Sequence, residues 1–155
     1  MKFICSLITV SDIAASKKFY IEILDQKISI DNGENVFFES GFAIHLSSHF
    51  SSLISHKTVQ SGGNNFELYF EEEKVDELAT KLQNLGVEFV HELREQPWRQ
   101  RVVRFYDLDK NIIEVGESME YLCFRLKSEG KSILEISNLI NMDKDFVEKS
   151  IMQYA

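Results

Sequence analysis

Residues 3–10 form a nearly continuous run of apolar and β-branched side chains, the pattern of a strand buried on both faces. Ser11-Asp12 follows as an N-cap, and Ile13, Ser16, Phe19, Tyr20, Ile23 and Leu24 recur at helical spacing. Alternation resumes over residues 26–31, where Ile28 and Ile30 share a face, and Asn32-Gly33 is a hairpin turn signal because both residues tolerate positive φ. Residues 36–40 and 42–47 are two further short strands joined near Gly41. Residues 47–64 are rich in Ser and His and end in Ser61-Gly62-Gly63-Asn64, which predicts a loop, of a length that usually goes with function or mobility.

The order then repeats. Residues 65–71 alternate (Phe66, Leu68, Phe70), and Val75, Leu78, Ala79, Leu82 and Leu85 make a helical stripe that Gly86 stops. Strands are expected over 87–91, 100–106 and 112–116, with Asp107-Leu108-Asp109-Lys110-Asn111 as the last turn. The predicted fold class is α+β: two tandem βαβββ modules, about 1–48 and 64–117, forming a cupped mixed sheet. Residues 118–155 hold three helical patterns broken at Gly130 and near Asn141-Met142-Asp143, a helical extension.

Composition narrows the class. The 155 residues are 44% apolar and 27% charged, ordinary for a globular chain long enough for a real core. Seventeen Lys plus Arg against 25 Asp plus Glu leaves a net charge of −8, which excludes an electrostatic footprint for nucleic acid or an anionic membrane. Two cysteines, Cys5 and Cys123, are no disulfide framework and fit a cytoplasmic setting. The apolar start runs into Ser11-Asp12 without a small-residue cleavage site, so no signal peptide is expected.

Val10-Ser11-Asp12-Ile13, then Ser16, Phe19-Tyr20 and Ile23-Leu24, is similar to the opening signature V-x-D-x-x-x-S-x-x-F-Y-x-x-x-L-G of the vicinal oxygen chelate superfamily. That superfamily includes glyoxalase I, fosfomycin and bleomycin resistance proteins and extradiol dioxygenases, and it is built from paired βαβββ modules. Phe105-Tyr106-Asp107-Leu108-Asp109-Lys110-Asn111-Ile112-Ile113-Glu114 resembles its closing F-x-D-P-D-G-N-x-I-E, and Pro97-Trp98 resembles a common second-module dipeptide. The glycines of these three motifs are replaced by Asp25, Lys110 and Arg99. The resemblance spans roughly residues 3–117 and points to a fold, not to a reaction.

The resemblance implies ligand positions on the first and fourth strands of each module, which fall on Cys5, His45, Glu67 and Glu114. Cys5 reads better as a small core residue, leaving His45, Glu67 and Glu114 as a three-ligand set with open positions, suited to Zn, Ni, Co or Mn. Neither first-strand position carries the family's frequent His. Strand alternation puts His45 opposite Phe42, Ile44 and Leu46, and Glu67 on one face with Tyr69. Glu114, in an apolar strand, is costly to bury without a partner or a metal. In an enzymatic reading it is also the catalytic carboxylate that shuttles a proton.

The single Trp stands beside Arg94, Arg99, Arg101 and Arg104. An aromatic plane next to guanidinium groups suits a planar or anionic ligand, so Trp98, Arg101 and Tyr69 are ligand-binding candidates. His49 and His56 read as surface-loop residues. The tail's helix, turn, helix order is similar to a DNA-binding motif, but residues 143–149 are not basic, and packing onto the body or across a dimer is expected instead. The leading reading is a cytoplasmic, homodimeric glyoxalase-like protein that binds a small polar or anionic molecule, as a divalent-metal-dependent lyase, isomerase or thiol transferase. The competing readings are a metal-free binding or drug-sequestering protein and a regulator acting through its tail. No nucleic acid or membrane partner is expected.

Overall fold

A computed structural model describes residues 1–155. The first module runs β1 (Ser6–Val10), α1 (Ile13–Leu24), β2 (Ile28–Asp31), β3 (Asn35–Phe38) and β4 (Phe42–Leu46), and is followed by α2 (Ser47–Leu53). The second runs β5 (Glu67–Glu71), α3 (Val75–Asn84), β6 (Phe89–Glu95), β7 (Arg101–Tyr106) and β8 (Ile112–Gly116). The tail forms α4 (Met119–Ser128), α5 (Ile133–Ile140) and α6 (Lys144–Tyr154). The two sheets have the same order, β1-β4-β3-β2 and β5-β8-β7-β6, so the α+β prediction of two tandem βαβββ modules with a helical extension holds.

Local chemistry explains the joints. Asp12 caps α1 by accepting from the backbone N–H groups of Ala14 and Ala15 at 2.9 and 3.0 Å. Asn32-Gly33 turns β2 antiparallel onto β3, with Gly33 at φ 81° and its N–H donated to the Asp31 carboxylate at 2.8 Å. Ser132 and Glu135 close a capping box at the start of α5. The three residues that stand where the family motifs carry glycine all have left-handed backbone: Asp25 at φ 52°, Arg99 at 75° and Lys110 at 65°. The glycine is gone and the backbone shape it serves remains.

The chain divides into two compact units, residues 1–67 with 106–112, and residues 68–105 with 113–155. In the first, Phe38 and Phe42 stack at 4.5 Å, and the Tyr20 ring lies 5.7 and 5.2 Å from them. Tyr20, fully buried, donates its hydroxyl to Asp107 at 2.8 Å. Burial, and then the Asp107 carboxylate, push the Tyr20 pKa well up, so it stays a neutral donor. The aromatic of the opening motif and the aspartate of the closing motif thus fasten one another. Asp107 also accepts from the backbone N–H groups of Asp109 and Asn111 at 2.9 and 2.8 Å, which shapes the turn.

Three expectations need correction. Residues 3–10 are not a strand buried on both faces: β1 starts at Ser6, Phe3 and Ile4 are exposed, and only Ile8 and Val10 are buried. β1 ends its sheet, pairing in parallel with β4 alone, so one backbone edge has no strand beside it within that sheet. The segment after β4 is not all loop: residues 47–53 are helical despite their Ser-rich composition, with Ser47 Oγ donating to the Val10 carbonyl at 3.0 Å. The tail stripes pack largely against one another, with Leu139 left 38% exposed. Leu122, Cys123, Leu126, Ile136, Ile140 and Val147 form a core of their own, with Met119, Ile133, Phe146 and Ile151 packed against it.

A single ionic node anchors α4 within the second unit. Glu117 is fully buried and accepts from Arg125 Nη2 and Nε at 2.7 and 3.0 Å and from the Arg101 backbone N–H at 2.9 Å. Arg125 further donates to Glu129 at 2.6 Å and to the Arg99 carbonyl at 2.7 Å. Burial alone would lower the Arg125 pKa, but the Glu117 and Glu129 carboxylates outweigh it and hold the pKa above its ordinary value.

Candidate functional site

Along β5 the side chains alternate as expected. Leu68 is buried, while Glu67, Tyr69 and Glu71 are exposed together on the other face. Tyr69 donates its hydroxyl to Glu71 at 3.1 Å and accepts from Gln100 Nε2 at 3.1 Å. The carbonyl oxygen of the same Gln100 accepts from Trp98 Nε1 at 2.9 Å, and its amide nitrogen also donates to the Glu117 carbonyl at 2.7 Å. Gln100 is 6% exposed, whereas Trp98 and Tyr69 are 43% and 46% exposed. A buried amide therefore fixes two open aromatic side chains. Burial, then Glu71, push the Tyr69 hydroxyl up to about 12, so it is neutral at ordinary pH.

The strand geometry makes room for that amide. Gly116 closes β8, and a Cβ there would lie 2.8 Å from Val102 Cγ1 and 3.2 Å from Gln100 Nε2. The turn carrying Trp98 is held by the Gln96 N–H to the Gln100 carbonyl and the Arg99 N–H to the Gln96 carbonyl, both 2.8 Å. Gln100 and Glu117 carried no role in the sequence reading. Each is a polar residue at the end of an apolar strand, and only its burial reveals its role.

Three of the four arginines of the basic cluster are paired with carboxylates. Arg99 pairs with Glu95 at 2.7 Å, and Arg101 with Asp76 at 2.6 Å and Glu117 at 3.4 Å. Arg104 pairs with Glu114, whose side chain is 10% exposed. Arg104 Nη1 also lies 3.3 Å from His91 Nε2, while His91 Nδ1 is 2.8 Å from the Glu92 carbonyl. A carbonyl only accepts, so the His91 proton sits on Nδ1 and Nε2 takes a hydrogen bond from Arg104.

The first unit holds a different cluster. His45 is 4% exposed, and its Nε2 lies 2.9 Å from His49 Nδ1. His49 Nδ1 is also 3.2 Å from the Glu34 carboxylate. The His49 and Phe50 rings of α2 lie 5.0 and 5.6 Å from the His45 ring. Burial, then the neighbouring His49, push the His45 pKa down, with Glu34 opposing them. His49 is thus no idle surface residue. Its spacing of four from His45 was the available signal, hidden because the segment read as loop.

The residues implied as a metal set therefore meet other partners. His45 turns to His49, Glu114 is covered by Arg104, and Glu67 is exposed on the Tyr69 face. Cys5 is half-buried ahead of β1. No group of three or more His, Cys, Asp or Glu side chains is placed to hold a metal ion. In this arrangement Glu114 is neutralised by Arg104 within the second unit, and His45 keeps Nδ1 without a partner in the first.

Two matched modules with this strand order define a glyoxalase-type fold. The model of the glyoxalase-like domain family matches residues 3–120, and the chain belongs to that family. Among solved structures, a protein of unknown function from Agrobacterium tumefaciens strain C58 is 43% identical, with TM-score 0.70, covering 76% of this chain and 94% of that one. A lactoylglutathione lyase from Agrobacterium tumefaciens (21% identity, TM-score 0.59) covers 76% of this chain and 93% of its own. The fosfomycin resistance protein FosX from Listeria monocytogenes (20%, TM-score 0.58) has the same two coverages. Both of these share the fold. A search of the curated proteins gives no match. The family match ends just inside α4, so nearly all of the tail core lies beyond it.

Proposed function

We propose that this chain is a metal-independent binding protein of the glyoxalase-like family, taking a small planar or polar molecule against Trp98 and Tyr69. The observation that carries the reading is the Trp98–Gln100–Tyr69 arrangement: two open aromatic faces held in place by a buried amide. Aromatic surface fixed before binding loses little entropy when a ligand stacks on it. Arg101, held by Asp76 and Glu117, acts in this reading by positioning the turn and not as an anion clamp. The free thiols fit a cytoplasmic protein, and no helix is long and apolar enough to cross a membrane. The exposed Phe3 and Ile4 beside the edge strand β1 are the surface a second copy would cover in a homodimer.

Trp98 is the only tryptophan, so its fluorescence reports this site alone. Titration with bleomycin, fosfomycin and S-lactoylglutathione, chosen from what the similar structures are named for, is expected to give saturable quenching by at least one. Tyr69→Phe and Gln100→Ala should weaken it. A divalent-metal-dependent lyase or isomerase, with Glu114 as ligand and proton carrier, is the second reading. It requires Glu114 to leave Arg104. Metal content near one per chain after growth with Zn, Ni, Co and Mn, lost in Glu114→Gln, would replace the first reading with the second.

A further inference from the structure

Among the buried polar atoms of the first unit that have no partner, two belong to residues paired across β3 and β4. His45 Nδ1 and Asn35 Oδ1 are both buried without a hydrogen bond. Asn35 on β3 is the cross-strand partner of His45 on β4. Directly opposed residues of an antiparallel pair point to the same face, with Cβ atoms about 4.5–5.5 Å apart.

The neighbouring cluster decides where the His45 proton lies. The Glu34 carboxylate only accepts, so His49 Nδ1, 3.2 Å away, carries a hydrogen. That same His49 N–H faces His45 Nε2 at 2.9 Å, so His45 Nε2 is an acceptor. A neutral His45 then carries its proton on Nδ1. The pair therefore offers a donor, His45 Nδ1–H, beside an acceptor, Asn35 Oδ1. Leaving both unpaired in a native interior is costly and uncommon.

We propose that Asn35 and His45 form a recognition pair for a neutral amide or lactam edge, whose carbonyl accepts from His45 and whose N–H donates to Asn35. A carboxylate has no proton to give Asn35 and would be repelled by Glu34. Helix α2 packs His49 and Phe50 on the His45 ring. None of the α2 residues is buried, no side chain caps its start, and Ser55 and His56 after it have left-handed φ of 60° and 58°. The pair belongs to the first unit and Trp98 to the second. Glu34 and His49 are positioning residues that set the tautomer.

The test uses the full chain labelled with 15N in its histidines, with His45→Phe to assign the ring. The expected spectrum shows His45 as the Nδ1–H tautomer, and titration with benzamide or 2-pyrrolidone shifts that resonance saturably while benzoate does not. Asn35→Ala should weaken benzamide about tenfold, the loss of one hydrogen bond. Asn35→Ser serves if the alanine variant does not fold. Glu34→Gln, which can donate to His49, should change the His45 tautomer and weaken benzamide together. A His45 proton on Nε2, no shift with either amide, or equal binding of benzoate overturns the proposal. The Trp98 fluorescence titration reads separately, so either reading can fail alone.

Discussion

Replacing Arg125 by Met removes the cation from a carboxylate that has no exposure at all. Glu117 loses two hydrogen bonds from the guanidinium, at 2.7 and 3.0 Å, and keeps the Arg101 N–H at 2.9 Å and the Arg101 guanidinium at 3.4 Å. Breaking a buried pair from one side leaves a charge that water cannot reach, and this costs about 3–5 kcal/mol. The Met side chain recovers part of the packing of the Arg stem. A stability of about 5–15 kcal/mol would lose a large fraction. At about 2–4 °C per kcal/mol for a chain of this size, the melting temperature should fall by roughly 10 °C. Urea titration of Arg125→Met, Glu117→Gln and the double variant closes a thermodynamic cycle. The double variant should be more stable than Arg125→Met alone, because the stranded charge is gone. A cost below about 1 kcal/mol for Arg125→Met, the range of exposed pairs, or simple additivity in the cycle, would refute the node as an anchor.

Further outcomes follow from other contacts. Deleting residues 119–155 removes Arg125 with its helices, so the shortened chain should melt at least as low as Arg125→Met or come out insoluble; an undiminished melting temperature sinks this. Gly116→Ala should push Val102 and Gln100 apart, lower stability and loosen Trp98, seen as increased mobility in its fluorescence anisotropy. The His45 pKa is lowered in the fold, so the native state binds fewer protons than the unfolded one below the ordinary value of 6.5. Its contribution is complete above that pH and is lost as pH falls toward the folded value. The urea midpoint should drop on acidification by more in wild type than in His45→Gln. Lys110→Gly should be neutral to about 1 kcal/mol stabilising, since Lys110 occupies a left-handed backbone, whereas Lys110→Val should destabilise clearly by denaturant titration.

Period and turn chemistry made the fold legible. Asn32-Gly33 and Gly86 mark chain reversals that any sequence must solve locally, and strand alternation placed Glu67 and Tyr69 on one face correctly. The segment 47–53 was illegible because its helix rests on contacts to β1 and β4 and not on its own propensity. The same holds for burial. Nothing near Glu117 or Gln100 in the chain says that they are interior, since Arg125 lies 8 residues from Glu117 and Tyr69 lies 31 residues from Gln100. Residues 3–10 differ in the opposite sense: an apolar run predicts a strand with two covered faces, and the strand that forms lies at a sheet edge.

The motif residues divide by what they do. Tyr20 and Asp107, from opposite ends of the resemblance, form one buried hydrogen bond, and Asp25, Arg99 and Lys110 keep the backbone bends that glycine makes elsewhere. These are joints, and a joint fixes the fold for every chemistry the fold hosts. Glu114 belongs to the other kind, a position whose side chain matters only through its partner. The chain carries the carboxylate, but Arg104 ten residues earlier supplies its counter-charge, and His91 holds that arginine in turn. A carboxylate neutralised from within needs no external cation to be stable where it is. The motif glutamate is therefore kept, and an arginine of the same module meets its charge. A ligand at Glu114 must first displace Arg104, whereas the proposed sites at Trp98 and at the Asn35–His45 pair need no such exchange.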